Sequence, residues 1–249
     1  MYPHYIYWKI DLTNVKDPFD IIGPRTGKKI RKALSILDGS PFQFKIEQID
    51  NALLDAFVPL YEDNMRSKQN GTIFPVKEKI LECTAKGKTY EMVSLYENNV
   101  FVGGMIYSVQ KERISVAYKV FPKDTPLKFP VSLSFVAEYK LFERAMELKK
   151  TELLHGKDRN CYGVFSNVGL AMYKLQIGCL PHVSQSKENT FYEEHDIKPT
   201  SDTLVFLGSK NGEPIHEAIL YTTKDEETAK MVYQILFSRS FLTVTIKTI

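Results

Sequence analysis

Cysteine is sparse in this chain. Cys83, Cys161 and Cys179 are the only three in 249 residues, widely spaced and with no CxxC pair. That excludes a disulfide framework and a structural zinc site, and it fits a reducing compartment. Long apolar runs are missing as well. No stretch approaches eighteen residues, and the opening MYPHYIYWKID holds no apolar signal core, so the expectation is a cytoplasmic chain with no export signal and no membrane span. Charge of one sign is scarce too: the net value is +3. A general nucleic-acid footprint is therefore not expected, although a local basic patch remains open. There is no internal repeat and no low-complexity segment.

What is present is an ordinary globular composition, 43% hydrophobic and 25% charged, with a high aromatic share of 14 Tyr and 15 Phe. The length allows one large or two small domains with a sizeable core. Tyrosine-rich walls suit polar small ligands such as sugars, but many of these rings must be core.

Periodicity predicts a strand over residues 4–12 and a basic amphipathic helix over 24–37. Further on come a strand over 42–49 and a helix from the Asp50 cap to about Lys68. Pro75 opens a shorter helix ending near Gly87. Three runs of period-two character, 90–97, 100–109 and 114–121, form an antiparallel meander. Gly103 and Gly104 inside it relieve crowding rather than cradle phosphate. A helix over 131–149 places Phe135, Tyr139, Phe142 and Met146 on its core face. Residues 181–200 read as a polar linker, and 203–246 as a β-β-α-β unit whose last strand is a possible exposed edge and dimer surface. The boundaries are an N-terminal strand segment at 1–24, a main domain at 25–185 and a C-terminal unit at 198–249.

Residues 153–178, LLHGKDRNCYGVFSNVGLAMYKLQIG, concentrate candidate chemistry. A short apolar strand over 152–154 ends at His155-Gly156, Lys157 to Asn160 make a charged turn, and a helix runs over 164–177. Loops at the carboxyl ends of strands in mixed sheets are where ligands usually sit. His155, Lys157, Arg159 and Tyr162 converge there.

The order of elements from about residue 25 to 182 resembles the GNAT superfamily of N-acetyltransferases, especially its FemAB-like branch. GKKIRKAL resembles the branch's basic first helix, DAFVPLYEDNMRSK its leucine-tyrosine helix pattern, and ENNVFVGGMIYSV its glycine-bearing strand pair. GLAMYKLQIG resembles the final motif, an aromatic-lysine pair followed by glycine. The resemblance implies an α/β (α+β) fold: a mixed, mostly antiparallel sheet flanked by helices, here with a small additional C-terminal α/β unit. It implies direct acyl transfer from a thioester to an amine, with acyl-CoA as co-substrate and no metal. His155 is then the candidate base and Tyr173 the favoured acid for the departing thiolate, with Tyr162 as its competitor or as a substrate contact. Tyr118 and Val120 lie on the strand that pairs with the donor's pantetheine arm. Tyr61, Arg66, Lys157 and Arg159 are candidate substrate contacts, and Lys174 a candidate phosphate contact. For each the structural alternative stands beside the functional one: a hydrogen-bonded loop histidine, core aromatics, solvated cations.

One departure matters. Most acyltransferases of this fold carry a glycine-rich loop after the fourth strand, where backbone N–H groups hold the pyrophosphate. Here that position reads FPKDTPLKFPVSLS, without glycine. Donor phosphates would then need Lys123, Lys128 and the helix N-terminus at Ser132 and Ser134. The favoured acceptor is an amino sugar, nucleotide-linked and destined for a cell-surface glycan such as lipopolysaccharide. The competitors are a FemAB-like transferase that uses aminoacyl-tRNA and a non-catalytic binding protein on the same fold.

Overall fold

The computed structural model describes residues 1–68 and 71–249. In chain order it contains β1 (Tyr2–Pro3), β2 (Tyr5–Asp11), α1 (Pro24–Leu37), β3 (Phe42–Gln48), α2 (Asn51–Arg66), α3 (Val76–Ala85), β4 (Thr89–Glu97), β5 (Val100–Val109), β6 (Arg113–Val120), α4 (Leu133–Glu147), β7 (Glu152–Arg159), α5 (Val168–Gln176), β8 (Leu180–Val183), β9 (Phe191–Tyr192), β10 (Thr203–Leu207), β11 (Glu217–Thr222), α6 (Glu226–Val232), α7 (Gln234–Phe237) and β12 (Thr243–Thr248). They divide into two compact units, one of Asp11–Leu154 and one of Met1–Ile10 with His155–Ile249.

In the first unit β3, β4, β5 and β6 pair antiparallel in sequence order. The start of β7 adds in parallel, with Arg113 opposite Glu152 and Ser115 opposite Leu154. The meander follows the period-two pattern as expected. The two glycines behave as their place in a strand suggests: a Cβ on Gly103 would lie 2.7 Å from the Val120 carbonyl oxygen, and one on Gly104 2.6 Å from the Met92 sulfur. Asp50 caps α2, its carboxylate accepting the Leu53 N–H at 2.8 Å. α2 and α3 pack Leu54, Phe57, Tyr61, Val76 and Ile80 onto Met92, Ile106 and Val120.

Of the four residues expected on the core face of α4, Phe142 is buried and the other three are not. Leu133, Val136, Ala137, Leu141, Phe142 and Ala145 are its buried residues, together with Glu138, whereas Phe135, Tyr139 and Met146 are half-buried. Small and aliphatic side chains fit closely against the sheet, and the Phe135 and Tyr139 rings fall at the margin. Tyr139, for instance, sits 4.9 Å from the Phe19 ring.

The second unit is assembled from the chain ends. β2 lies between β7 and β8 in strand order, and pairs antiparallel with β8, with Ile6 opposite Val183. β1 pairs with β9. The 181–200 stretch, expected to be a linker, thus supplies two strands, because backbone pairing needs no apolar pattern in so short a ladder. β7 continues through Lys157, Asp158 and Arg159, which had read as a turn. The turn follows it, with Cys161 at φ +66° and Gly163 at +104°. α5 begins at Val168 rather than 164, because the Asn167 side chain accepts the Gly169 N–H at 2.7 Å and sets the first turn there. The β-β-α-β unit forms with sheet order β10-β11-β12, β11 and β12 being parallel. Its expected single helix is broken at Tyr233 into α6 and α7.

Candidate functional site

In the second unit a polar cluster is built around Asp158. The alternation of β2 turns Ile6, Trp8 and Ile10 inward. The helical stripe of α5 buries Ala171, Lys174 and Leu175 at i, i+3 and i+4. A lysine on an apolar stripe needs a partner, since an unpaired buried ammonium is costly. Lys174 finds two: Nζ lies 2.7 Å from the Asp158 carboxylate and 2.8 Å from the His155 carbonyl oxygen. The same carboxylate oxygen accepts the Tyr162 hydroxyl at 2.8 Å and the Trp8 indole N–H at 2.9 Å. The Lys174 ammonium also stands 5.6 Å from the Trp8 ring centroid. Burial, and then the Asp158 charge, push the Tyr162 phenol well above its ordinary value.

His155 is buried within β7, Tyr162 is fully buried, and Tyr173 is half-buried on α5. Lys157 and Arg159 are exposed at the strand's end. The first has its ammonium 4.5 Å from the Tyr5 ring, and the second rests its guanidinium 3.7 Å from the Phe165 ring. Just beyond them Asn160 has all its side-chain valences used. Its amide donates to the Pro3 and Phe206 carbonyls at 2.9 and 2.8 Å, and its oxygen accepts the N–H groups of Cys161 and Phe206.

The remaining expected residues lie in the first unit. Tyr61 of α2 is buried, donates to the Thr72 carbonyl at 3.3 Å, and meets the Tyr118 ring edge-on at 5.6 Å. Phe74 closes on Tyr118 from another direction at 6.4 Å. Burial raises both phenols. Val120 is buried in the core beneath them. Lys119 pairs with the fully buried Glu138 at 3.2 Å, and Lys123 reaches the Ser67 hydroxyl at 3.4 Å. Lys68 sits beside them. Burial, then the charges of Lys123 and Lys119, hold its ammonium below the ordinary 10.5. Lys128 and Ser132 are exposed, and Ser134 is half-buried in the first turn of α4. Arg66 is bound to its own helix by Glu62 at 2.6 Å and Asp63 at 3.0 Å.

The expected site residues thus fall into two groups, one per unit. Sequence reasoning missed Trp8 and Asp158 in one, and Lys68 and Phe74 in the other. Trp8 and Asp158 lie 150 residues apart, so no local pattern links them; the signal within reach was Lys174 in a buried helical stripe. Among the described residues no group of His, Cys, Asp or Glu is arranged to hold a metal ion, and no helix is long and apolar enough to cross a membrane.

The sequence matches no family model and no curated protein. Solved structures do resemble it. The crystal structure of FemX matches over 71% of this chain, at 12% identity and a TM-score of 0.54. The fold is that of FemX. It is a GNAT-like fold, and the chain spans 59% of FemX's length. Slighter likenesses are to L-PGS from Bacillus licheniformis (16% identity, 71% of this chain and 54% of that one, TM-score 0.42) and to the C-terminal domain of a putative lysylphosphatidylglycerol synthetase from Agrobacterium fabrum (11%, 64% and 48%, 0.45).

Proposed function

We propose that this chain is a FemAB-like transferase that moves an aminoacyl group from the 3′ end of a charged tRNA to an amine. The observation that carries this reading is the end of β6 in the first unit. Three lysines, Lys68, Lys119 and Lys123, stand close enough there to act on one another, and in the same unit the Tyr118 ring meets Phe74 at 6.4 Å. A glycine-free segment follows β6 where a coenzyme-binding loop would carry glycines. A cluster of cations suits the phosphates of a single-stranded nucleic acid, and aromatic rings suit its bases. The shared fold with FemX supports acyl transfer in general. The sugar acceptor and the acyl-CoA donor expected from the sequence gain no support from either source.

In this reaction the acceptor amine attacks the ester carbonyl carbon. A C–N bond forms, the ester C–O bond breaks, and the ribose hydroxyl leaves with a proton equivalent to the one the amine gives up. For the two proton transfers the family resemblance nominates His155 and Tyr173.

The test is binding of aminoacylated tRNA, uncharged tRNA and acetyl-CoA, followed by fluorescence anisotropy across a salt series. Charged tRNA should bind with a steep salt dependence. Lys68→Gln with Lys123→Gln should flatten the log–log slope by about 0.7 per lost contact. Binding of acetyl-CoA without binding of tRNA would return the chain to acyl-CoA chemistry. If neither binds, and His155→Ala and Tyr173→Phe change no phenotype, the chain is a non-catalytic member of the fold.

A further inference from the structure

The second unit holds a cavity of about 370 Å³ that the proposed transfer does not use. Its wall brings together Tyr2, His4, Arg159, Phe165, Tyr192 and Asp196, drawn from β1, the end of β7 and the segment around β9. The rings form one continuous surface: Tyr2 stacks on Tyr192 at 5.5 Å, and His4 meets Tyr192 edge-on at 5.4 Å and Phe165 at 6.0 Å.

Arg159 is the unusual member. Its Nε and Nη2 lie 3.1 and 3.0 Å from a single atom, His4 Nε2. That nitrogen must therefore offer its lone pair, which makes the imidazole neutral. Burial and then the Arg159 charge lower the His4 pKa below its ordinary 6.5, in agreement. Two of the five guanidinium N–H bonds go to this neutral acceptor and the face lies on Phe165, and among the described residues no carboxylate pairs with Arg159. An arginine held in place by neutral partners keeps its charge and its remaining N–H groups for an anionic oxygen group.

On the same wall Asp196 supplies the opposite sign. One of its oxygens accepts the Glu193 N–H at 3.1 Å, and the other is 3.6 Å from the exposed His195 ring. Acceptor capacity is left over.

A half-open wall with one cation, one carboxylate and an aromatic floor, beside room for a single residue-sized body, selects for a ligand with all three complements. We propose that this cavity binds a zwitterionic amino acid with an apolar, flat side chain: carboxylate to Arg159, ammonium to Asp196, side chain against Tyr2, Phe165 and Tyr192. The assignment is independent of the donor proposed above.

Isothermal titration calorimetry with L-phenylalanine, L-phenylalaninamide and N-acetyl-L-phenylalanine, and no tRNA present, tests it. L-phenylalanine should bind saturably, and each blocked analogue should bind at least about tenfold more weakly, the loss of one charge-assisted contact. Arg159→Gln should bring L-phenylalanine down to the level of its amide, and Asp196→Asn to that of its N-acetyl form. Both side chains are exposed, so the variants fold, and wild-type unfolding midpoints confirm it. Lys68→Gln with Lys123→Gln should leave this binding unchanged even where tRNA binding is lost. Absence of saturable binding, equal binding of the amide, or undiminished binding by Arg159→Gln overturns the proposal.

Discussion

Glu91 in one unit and Asp158 in the other are carboxylates that each gather several donors, and the two are satisfied by different means. In the unit of residues 11–154, Glu91 on β4 is held by elements close to it in the meander or packed on it. Arg144 approaches with two guanidinium nitrogens at 2.8 and 3.0 Å, Tyr107 donates at 2.8 Å and Gln48 at 3.0 Å. In the other unit, Asp158 gathers three donors from β2, from the turn after β7 and from α5. One of them, Trp8, comes from the far end of the chain. The first arrangement is a bidentate ion pair on a strand inside a consecutive sheet. The second is a hub on which distant segments converge, with a lysine as its one cation. Breaking a buried ion pair by removing one partner leaves the other charge desolvated, so the two sites should answer to substitution in a definite order.

The largest effect is expected at Glu91. Arg144→Leu strands a carboxylate whose side chain is 5% exposed, at a cost of roughly 3–5 kcal/mol. The double variant with Glu91→Met should recover most of it, and urea unfolding of the single and double variants measures both. Lys174→Met should cost less, about 1.5–3 kcal/mol. Both carboxylates keep two neutral donors, but Asp158 is 14% exposed against 5% for Glu91. If Lys174→Met proves the more damaging, the hub rather than the bidentate pair is the dominant anchor and the comparison inverts.

Acid titration sharpens it further. Burial pushes the Glu91 carboxyl up, but hydrogen bonds from Arg144 and Tyr107 outweigh it, and the net shift is below the ordinary 4.5. The stability this contributes is present above pH 4.5 and disappears as pH falls through the lower folded value. His4 acts in a separate window. Its folded pKa is lowered below 6.5, so the unfolded chain binds the proton first, and stability falls as pH drops below about 6.5 towards the folded value. Chemical denaturation from pH 8 to pH 3 should show both slopes. Glu91→Gln should remove only the lower one and His4→Gln only the upper.

The smallest effect concerns the strand glycines. Gly103→Ala forces a Cβ to within 2.7 Å of the Val120 oxygen, and the strands must part at a cost of about 1–3 kcal/mol. A thermal midpoint unchanged from the wild type would show that the β5–β6 pair yields more easily than its geometry implies.

The same contrast explains what could be read in advance. β4, β5 and β6 carry their own period-two pattern, α1 its basic and apolar faces, and α2 the Asp50 cap, all within a few residues of the element they define. β7 could not be read to its end. Lys157, Asp158 and Arg159 look like a turn until Tyr5, Trp8 and His4 are placed beside them. α4 was legible as a helix but not in its facing, because ring size drew the core stripe onto Phe135 and Tyr139 while Ala137 and Ala145 were the residues that fit against the sheet. Of the site residues, the motif around Lys174 could be seen, but not the carboxylate that neutralises it.

Periodicity, capping and turn chemistry act over three to ten residues, and wherever they governed, the linear order of residues was enough: the element types, the antiparallel meander and the C-terminal β-β-α-β unit. The pairing of β1 with β9 and of β2 with β8, the hub at Asp158 and the cavity beside Arg159 join positions up to 190 residues apart, as Tyr2 does with Tyr192. Their partners are chosen by burial and charge compensation in the folded chain, and those forces leave no short-range trace.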